Sequence, residues 1–177
     1  MIKRLQILSS ELPSDYLCFI SSLGFSMPII SFVISSQWPW YELQPTKSDL
    51  ENDIVYVKQE YYESNDRCSW MMHEIGHFVF YKCCGRVLDD DYPRNGEELF
   101  SFGLQFLYLK NKGLKKVEIL SMIGQSYSEE EERVYSNVFS EIWEKTDEKY
   151  LISLIVKYKK EDAENPVKSR RHNKVIQ

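Results

Sequence analysis

The sequence predicts an α+β fold, because segments typical of strands lie near the start of the chain and helical patterns fill the remainder. Residues 28–34 and 54–62 are rich in β-branched and aromatic residues, which favours extended structure. After residue 67 apolar residues recur at helical spacing. The predicted order is therefore a small set of strands followed by a mostly helical C-terminal part.

The first predicted helix spans residues 13–23. Ser14 can cap its N-terminus, Asp15 suits the positive end of the helix dipole, and Gly24 can end it. The two strand segments then follow, and 54–62 has the stronger pattern of the two.

The longest predicted helix spans residues 67–84, which contain no proline and a single glycine, Gly76. Gly85 is well placed to end this helix. The later helical patterns are, in chain order, residues 97–109, 114–123, 128–145 and 148–159.

The composition is typical of a globular protein. The chain has 177 residues and a net charge of −5, with a pI of about 5.3. Nucleic-acid binding usually needs a basic domain, so an acidic chain argues against it. We predict one domain over residues 1–160 and a flexible basic tail over residues 161–177, because cationic side chains cluster there.

The cysteines form no CxxC pair and no regular framework. They are Cys18, Cys68, Cys83 and Cys84. Free thiols in a reducing cytosol are the simplest interpretation, and we predict a cytoplasmic protein.

Residues 16–41 contain no charged side chain, and this stretch is long enough to suggest a membrane contact. Prolines, a glycine and two serine pairs interrupt it, however, and a signal peptide needs a continuous apolar core. We therefore favour buried strand and helix over a membrane-associated protein.

One HExxH motif, residues 73–77, lies inside the predicted helix 67–84. Residues four apart lie on one face of a helix, so His73 and His77 can offer two imidazole nitrogens to one ion. Zn²⁺ accepts histidine nitrogens at about 2.0–2.1 Å. Glu74 points to the side of this pair, where its carboxylate can act as general base and acid toward a metal-activated water. The motif predicts a zinc site with Glu74 as the catalytic residue.

A catalytic zinc site needs a third protein ligand and an open position. Glu97 and Glu98 open the next predicted helix, and an antiparallel return can bring either carboxylate to the first helix. We favour Glu98, because Ser101 follows it by three residues and a small side chain there allows close approach. Phe100 follows Glu97 at the same spacing and would crowd the metal. His172, the remaining histidine, lies in the predicted tail.

Other interpretations stay open. Two histidines and a glutamate on one helix can form a buried polar network, and a metal can be bound without catalysis. First-turn glutamates can simply interact with the helix dipole. Cys83 could act as a thiolate ligand only if its helix ended early.

The pattern His73-Glu74-x-x-His77 with Glu98-x-x-Ser101 resembles that of the gluzincins, in which two histidines and a helix-borne glutamate bind zinc. Within that group the chain is similar to the ImmA/IrrE-like peptidases over residues 54–110. The similarity includes the apolar residues around the motif and the acidic loop at residues 89–91.

This resemblance implies a zincin-like fold, with a small mixed sheet packed on the HExxH helix. It implies a zinc-dependent metallopeptidase that acts on a protein or peptide lying along an edge strand of the sheet. The alternative is a regulatory or protein-interaction module that keeps the same fold without turnover.

Overall fold

A computed structural model describes residues 5–36, 46–63, 67–85, 96–124 and 138–164. The chain begins with strand β1 (Leu5–Leu8), a 3-10 turn (Ser9–Glu11), helix α1 (Ser14–Ser22) and strands β2 (Ser31–Ser35), β3 (Thr46–Asp49) and β4 (Ile54–Lys58). It continues with helices α2 (Gln59–Tyr62), α3 (Arg67–Cys84), α4 (Gly96–Asn111), α5 (Lys116–Gly124), α6 (which includes residues 138–145) and α7 (Glu148–Glu164). The predicted α+β class is confirmed.

The sheet has four strands in the order β1-β2-β4-β3. β2 and β4 are parallel at its centre, and β1 and β3 pair with them in antiparallel fashion. Alternate residues of the central strands are buried, so one face of the sheet is apolar. This face consists of Phe32, Ile34, Val55 and Val57.

Helix α3 contacts the apolar face of the sheet. Trp70 packs edge-on against Phe32, with ring centroids 6.5 Å apart. At the other end of α3, Lys82 forms an ion pair of 2.9 Å with Asp53, in the turn before β4. The HExxH helix and the sheet therefore share one core.

The C-terminal helices cover the other sides of α3 and α4. Tyr158 of α7 packs against Phe80 of α3, with centroids 5.6 Å apart. Phe139 of α6 packs against Phe102 of α4 at 4.7 Å. Aromatic contacts thus bury α4 on most of its surface, which agrees with its apolar sequence.

The long helices follow the predicted boundaries closely. The prediction of a helix over residues 67–84 is confirmed, and Gly85 ends it with a φ of 72°. The last helix extends to Glu164 rather than to residue 159, so residues 161–164 of the predicted tail are helical. Residues 165–177 of that tail and residues 128–137 of the helix predicted over 128–145 lie outside the described residues.

The strand predictions need correction. The segment 54–62 is a strand only to Lys58, because α2 follows it and places Tyr61 against Trp70, with centroids 5.6 Å apart. β1 and β3 were not predicted, since each is only four residues long and β3 contains no apolar residue. Ser14 also does not cap α1, because Pro13 takes the N-cap position.

Within the described residues, no helix combines the length and the apolar composition that a membrane span requires.

Candidate metal centre

His73 and His77 lie one turn apart on α3 and direct the same ring nitrogen to one point. Their Nε2 atoms are 3.1 Å apart, and their rings meet edge to face with centroids 4.7 Å apart. Both side chains are largely buried, at 14% and 11% exposed. The spacing of four residues has therefore brought the two imidazoles together as expected.

Glu98 of α4 completes this cluster. Its Oε2 lies 3.6 Å from Nε2 of His73, and its Oε1 lies 4.0 Å from Nε2 of His77. One ligand atom from each of the three residues lies within 4.8 Å of the others. Ligands held tetrahedrally at 2.0–2.1 Å from zinc are roughly 3.3 Å apart, so only small side-chain shifts separate this cluster from a zinc site.

Glycine and serine at the crossing of α3 and α4 allow this approach. A Cβ atom on Gly76 would lie 2.7 Å from Cα of Ser101, which is closer than packed atoms tolerate. Ser101 is fully buried at the contact. We expected a small residue at Ser101 to let the helices approach, and the structure adds Gly76 as its partner.

Glu97 lies on the other side of the His77 ring. Its Oε1 is 2.8 Å from Nδ1 of His77, the nitrogen that faces away from the cluster. A carboxylate in this position accepts a hydrogen bond from Nδ1–H, so that in the neutral imidazole the Nε2 lone pair is free for a metal. Glu97 therefore orients a histidine, whereas Glu98 is placed to be a ligand.

Glu74 is not part of the cluster, although it adjoins His73 in sequence. Its Oε1 accepts a hydrogen bond of 2.6 Å from Oγ1 of Thr46, and its Oε2 accepts one from Oγ of Ser48. Only 5% of the residue is exposed. The contacts of Thr46 and Ser48 with Glu74 are not predicted from the sequence, because β3 is polar throughout and has no pattern typical of a strand.

The electrostatics of the site favour a cation. Burial, reinforced by the charge of His77, lowers the pKa of His73 well below the ordinary value of 6.5. Burial also acts to lower the pKa of His77, but Glu98, Glu97 and Glu74 together raise it to about 9. The carboxylates thus attract positive charge, and His77 supplies it by holding a proton.

The pKa of Glu98 is also shifted. Burial raises it to about 7, against the opposing effect of His77 and with a further increase from Glu97 and Glu74. A cation bound between these groups would replace the protons on His77 and Glu98 and would compensate the buried negative charge.

His73 is oriented by packing. Phe102 lies against its ring, with centroids 4.3 Å apart. Its Nδ1 atom is buried and finds no hydrogen-bond partner among the described residues. The imidazole is therefore held by the α3–α4 interface, with Nε2 directed to the cluster.

Among the described residues, Cys83 is a possible ligand that does not belong to this cluster. Cys83 is half-buried elsewhere on α3, and burial raises the pKa of its thiol, which disfavours the thiolate. His172 and the acidic loop at residues 89–91 lie outside the described residues.

Comparisons of the chain with protein-family models, with curated proteins and with solved structures find no match.

Proposed function

We propose that this chain is a zinc-dependent metallopeptidase of the gluzincin type, similar to the ImmA/IrrE-like peptidases. One observation carries the proposal: His73, His77 and Glu98 converge on one point, while Glu74 stands beside them and outside the ligand set. A metal site with three protein ligands and a separate carboxylate is an arrangement suited to metal-assisted hydrolysis.

His73, His77 and Glu98 would hold the ion through two imidazole nitrogens and one carboxylate, the ligand set of many catalytic zinc sites. Bound there, zinc would polarise the scissile carbonyl and lower the pKa of a water molecule at its open position. The low proton affinity of His73 suits this role, because a ligand must present its nitrogen unprotonated.

Glu74 would act as the general base and acid. Its carboxylate would take a proton from the attacking water and deliver one to the departing amine. A protein or peptide is the proposed substrate. β3 is one of the two edge strands of the described sheet and is joined to Glu74 through hydroxyls, so an extended peptide beside it would lie close to the base.

Contacts between the sheet and α3 support a zincin-like arrangement for this proposal. They consist of the Phe32–Trp70 contact, the Asp53–Lys82 ion pair and the hydrogen bonds to Glu74. Cys18, Cys83 and Cys84 are free thiols, which supports the proposed cytoplasmic location.

The first experiment is elemental analysis of the purified protein and of two alanine variants. We expect about one zinc per wild-type chain, no zinc in Glu98→Ala, and retained zinc in Glu97→Ala, because Glu97 contacts the histidine rather than the cluster. A wild type that binds no metal even after zinc is added would remove the basis of the enzyme proposal.

The second experiment separates catalysis from metal binding. In Glu74→Gln we expect full zinc content and loss of cleavage of fluorescein-labelled casein, by about 100-fold or more, because an amide cannot accept the proton. Equal activity of Glu74→Gln and wild type would show that Glu74 is not the base.

A second candidate function is a metal-binding regulatory module without turnover. It is favoured by the hydrogen bonds that engage both oxygens of Glu74, as in a carboxylate with a purely structural role. A wild type that binds zinc and cleaves neither casein nor other unfolded proteins would favour this candidate.

A further inference from the structure

Two hydroxyl groups of β3 contact Glu74 from one face of the sheet. Thr46 and Ser48 are two residues apart on the strand, so their side chains point the same way. Thr46 bonds to one oxygen of the carboxylate and Ser48 bonds to the other. Donors on both oxygens fix the rotation of the carboxylate, which a single donor would leave free.

The sheet determines where these hydroxyls lie. Thr46 pairs with Val57 and Ser48 pairs with Val55, and both valines are fully buried. Paired residues share a face, so the hydroxyls continue the apolar face of the sheet at its edge. Both hydroxyls are only partly buried, and each has Glu74 as its hydrogen-bond partner.

Hydroxyls are suited to holding a base. An ionised carboxylate has about four acceptor positions. Among the described residues, Thr46 and Ser48 use one position on each oxygen, so each oxygen keeps a second position for a water proton. A lysine or arginine in their place would form a buried ion pair with Glu74. Neutral donors orient the carboxylate without adding that charge.

We propose that Thr46 and Ser48 are positioning residues for Glu74, so that edge strand β3 sets the orientation of the base. This inference rests on the proposed function in that it assigns Glu74 as the base. It extends that function from the HExxH helix to a strand more than twenty residues earlier in the chain.

The kinetic test uses Thr46→Val and Ser48→Ala, singly and together, with labelled casein as the substrate. We expect kcat to fall about tenfold in each single variant and about 100-fold in the double variant, with KM within twofold and zinc content unchanged. Thr46→Ser keeps a hydroxyl and should restore most of kcat.

Ser31→Ala is the matched control. Ser31 is a strand hydroxyl of β2 that bonds to Gln6 rather than to Glu74, so kcat should stay within twofold of wild type. Two results would overturn the positioning role. One is a rise in KM with unchanged kcat in the Thr46 and Ser48 variants, and the other is an equal fall in kcat in Ser31→Ala.

A second measurement needs no turnover. In a double-mutant cycle, urea unfolding compares the stability lost on Ser48→Ala in the wild type and in Glu74→Ala. We expect the loss in the Glu74→Ala background to be less than half of that in the wild type, because the partner is already absent.

These measurements separate the two proposals. An inactive wild type with a coupled Ser48–Glu74 pair would overturn the proposed peptidase function and leave the contact as a structural one, with no positioning role in catalysis. An active wild type with additive stability losses and unchanged kcat in the double variant would overturn the positioning inference alone.

Discussion

At the scale of single residues, adjacent carboxylates at the start of α4 lie beside different nitrogens of the same imidazole. Successive residues of a helix point about 100° apart, so Glu97 and Glu98 cannot both face the cluster. Glu98 approaches Nε2 of His77 and Glu97 bonds to Nδ1. Because the two residues are adjacent on the helix, a rotation of about 100° places Glu98 as a candidate ligand and Glu97 as the group that orients His77.

We expect Glu97→Ala to keep the zinc stoichiometry and to weaken zinc affinity by about 10–100-fold, because His77 loses the acceptor that fixes its tautomer. Competition with a chelating dye measures the affinity. Glu97→Gln is the matched control, since its amide oxygen can still accept from Nδ1, and it should lie much closer to wild type. An unchanged affinity in Glu97→Ala would contradict this role.

The affinity for zinc should depend on pH. In the metal-free protein the pKa of Glu98 is about 7 and that of His77 is about 9, and both groups must lose their protons to coordinate. Binding should therefore release about two protons below pH 7 and about one between pH 7 and 9, so affinity rises with pH.

Calorimetric titration in buffers with different ionisation enthalpies counts these protons. The number released should fall as the pH passes 7 and again as it passes 9. A constant affinity from pH 6 to pH 9 would show that the two groups are not ligands.

At the scale of elements, the approach of α3 to α4 determines whether the site exists. The helices contribute His73 and His77 on one side and Glu98 on the other. Gly76 lies between the two histidines and faces Ser101. This close contact between the helices is therefore within one turn of every candidate ligand, and any separation of the helices there would move the carboxylate away.

We expect Gly76→Ala to destabilise the protein by about 1–3 kcal/mol and to weaken zinc binding, although alanine has the higher helix propensity. The added Cβ would lie 2.7 Å from the backbone of Ser101, so the helices must shift. Urea unfolding and zinc titration measure the two effects.

Lys82→Ala is a control on the same helix. It removes a half-exposed ion pair with Asp53 and should cost less than about 1 kcal/mol without changing zinc affinity. If Gly76→Ala and Lys82→Ala changed stability and zinc affinity equally, the close approach at Gly76 would not be what positions the candidate ligands.

At the scale of the whole molecule, the site joins the sheet-bearing half to the helical half. α3 contacts the sheet through Trp70, and α4 contacts the C-terminal helices through Phe102. A metal shared by α3 and α4 would link both halves, since the unfolded chain holds no preformed site.

We expect zinc removal to lower thermal stability. Zinc at about 100 times its dissociation constant adds about 2.7 kcal/mol, which corresponds to a fall in Tm of about 5–10 °C when a chelator removes it. Thermal unfolding with and without EDTA measures this shift. Glu98→Ala is the control, because its Tm should not respond to EDTA.

How much could be predicted from the sequence depends on how local the responsible interactions are. The helix over residues 67–84 follows from its own periodicity, and the structure has it at Arg67–Cys84. His73 and His77 lie on the same face of this helix because they are four residues apart, close to the helical period. The small residue Ser101, three positions after Glu98, favours Glu98 over Glu97 as the third ligand, and it is Glu98 that lies in the cluster.

Other features had no local signal. β3 has the sequence Thr-Lys-Ser-Asp, and it is a strand because it pairs with β4. α2 replaces the expected end of a strand because Tyr61 packs on Trp70. In both segments, contacts between distant parts of the chain outweigh weak local preference.

The sequence by itself thus determined the fold class, the long helices and the residues of the candidate metal site, because strand propensity and helical spacing are properties of short segments. Only the tertiary structure decided that Glu97 orients His77 and that Thr46 and Ser48 hold Glu74. Those contacts join residues twenty or more positions apart. Their geometry exists only once the sheet, α3 and α4 have packed together.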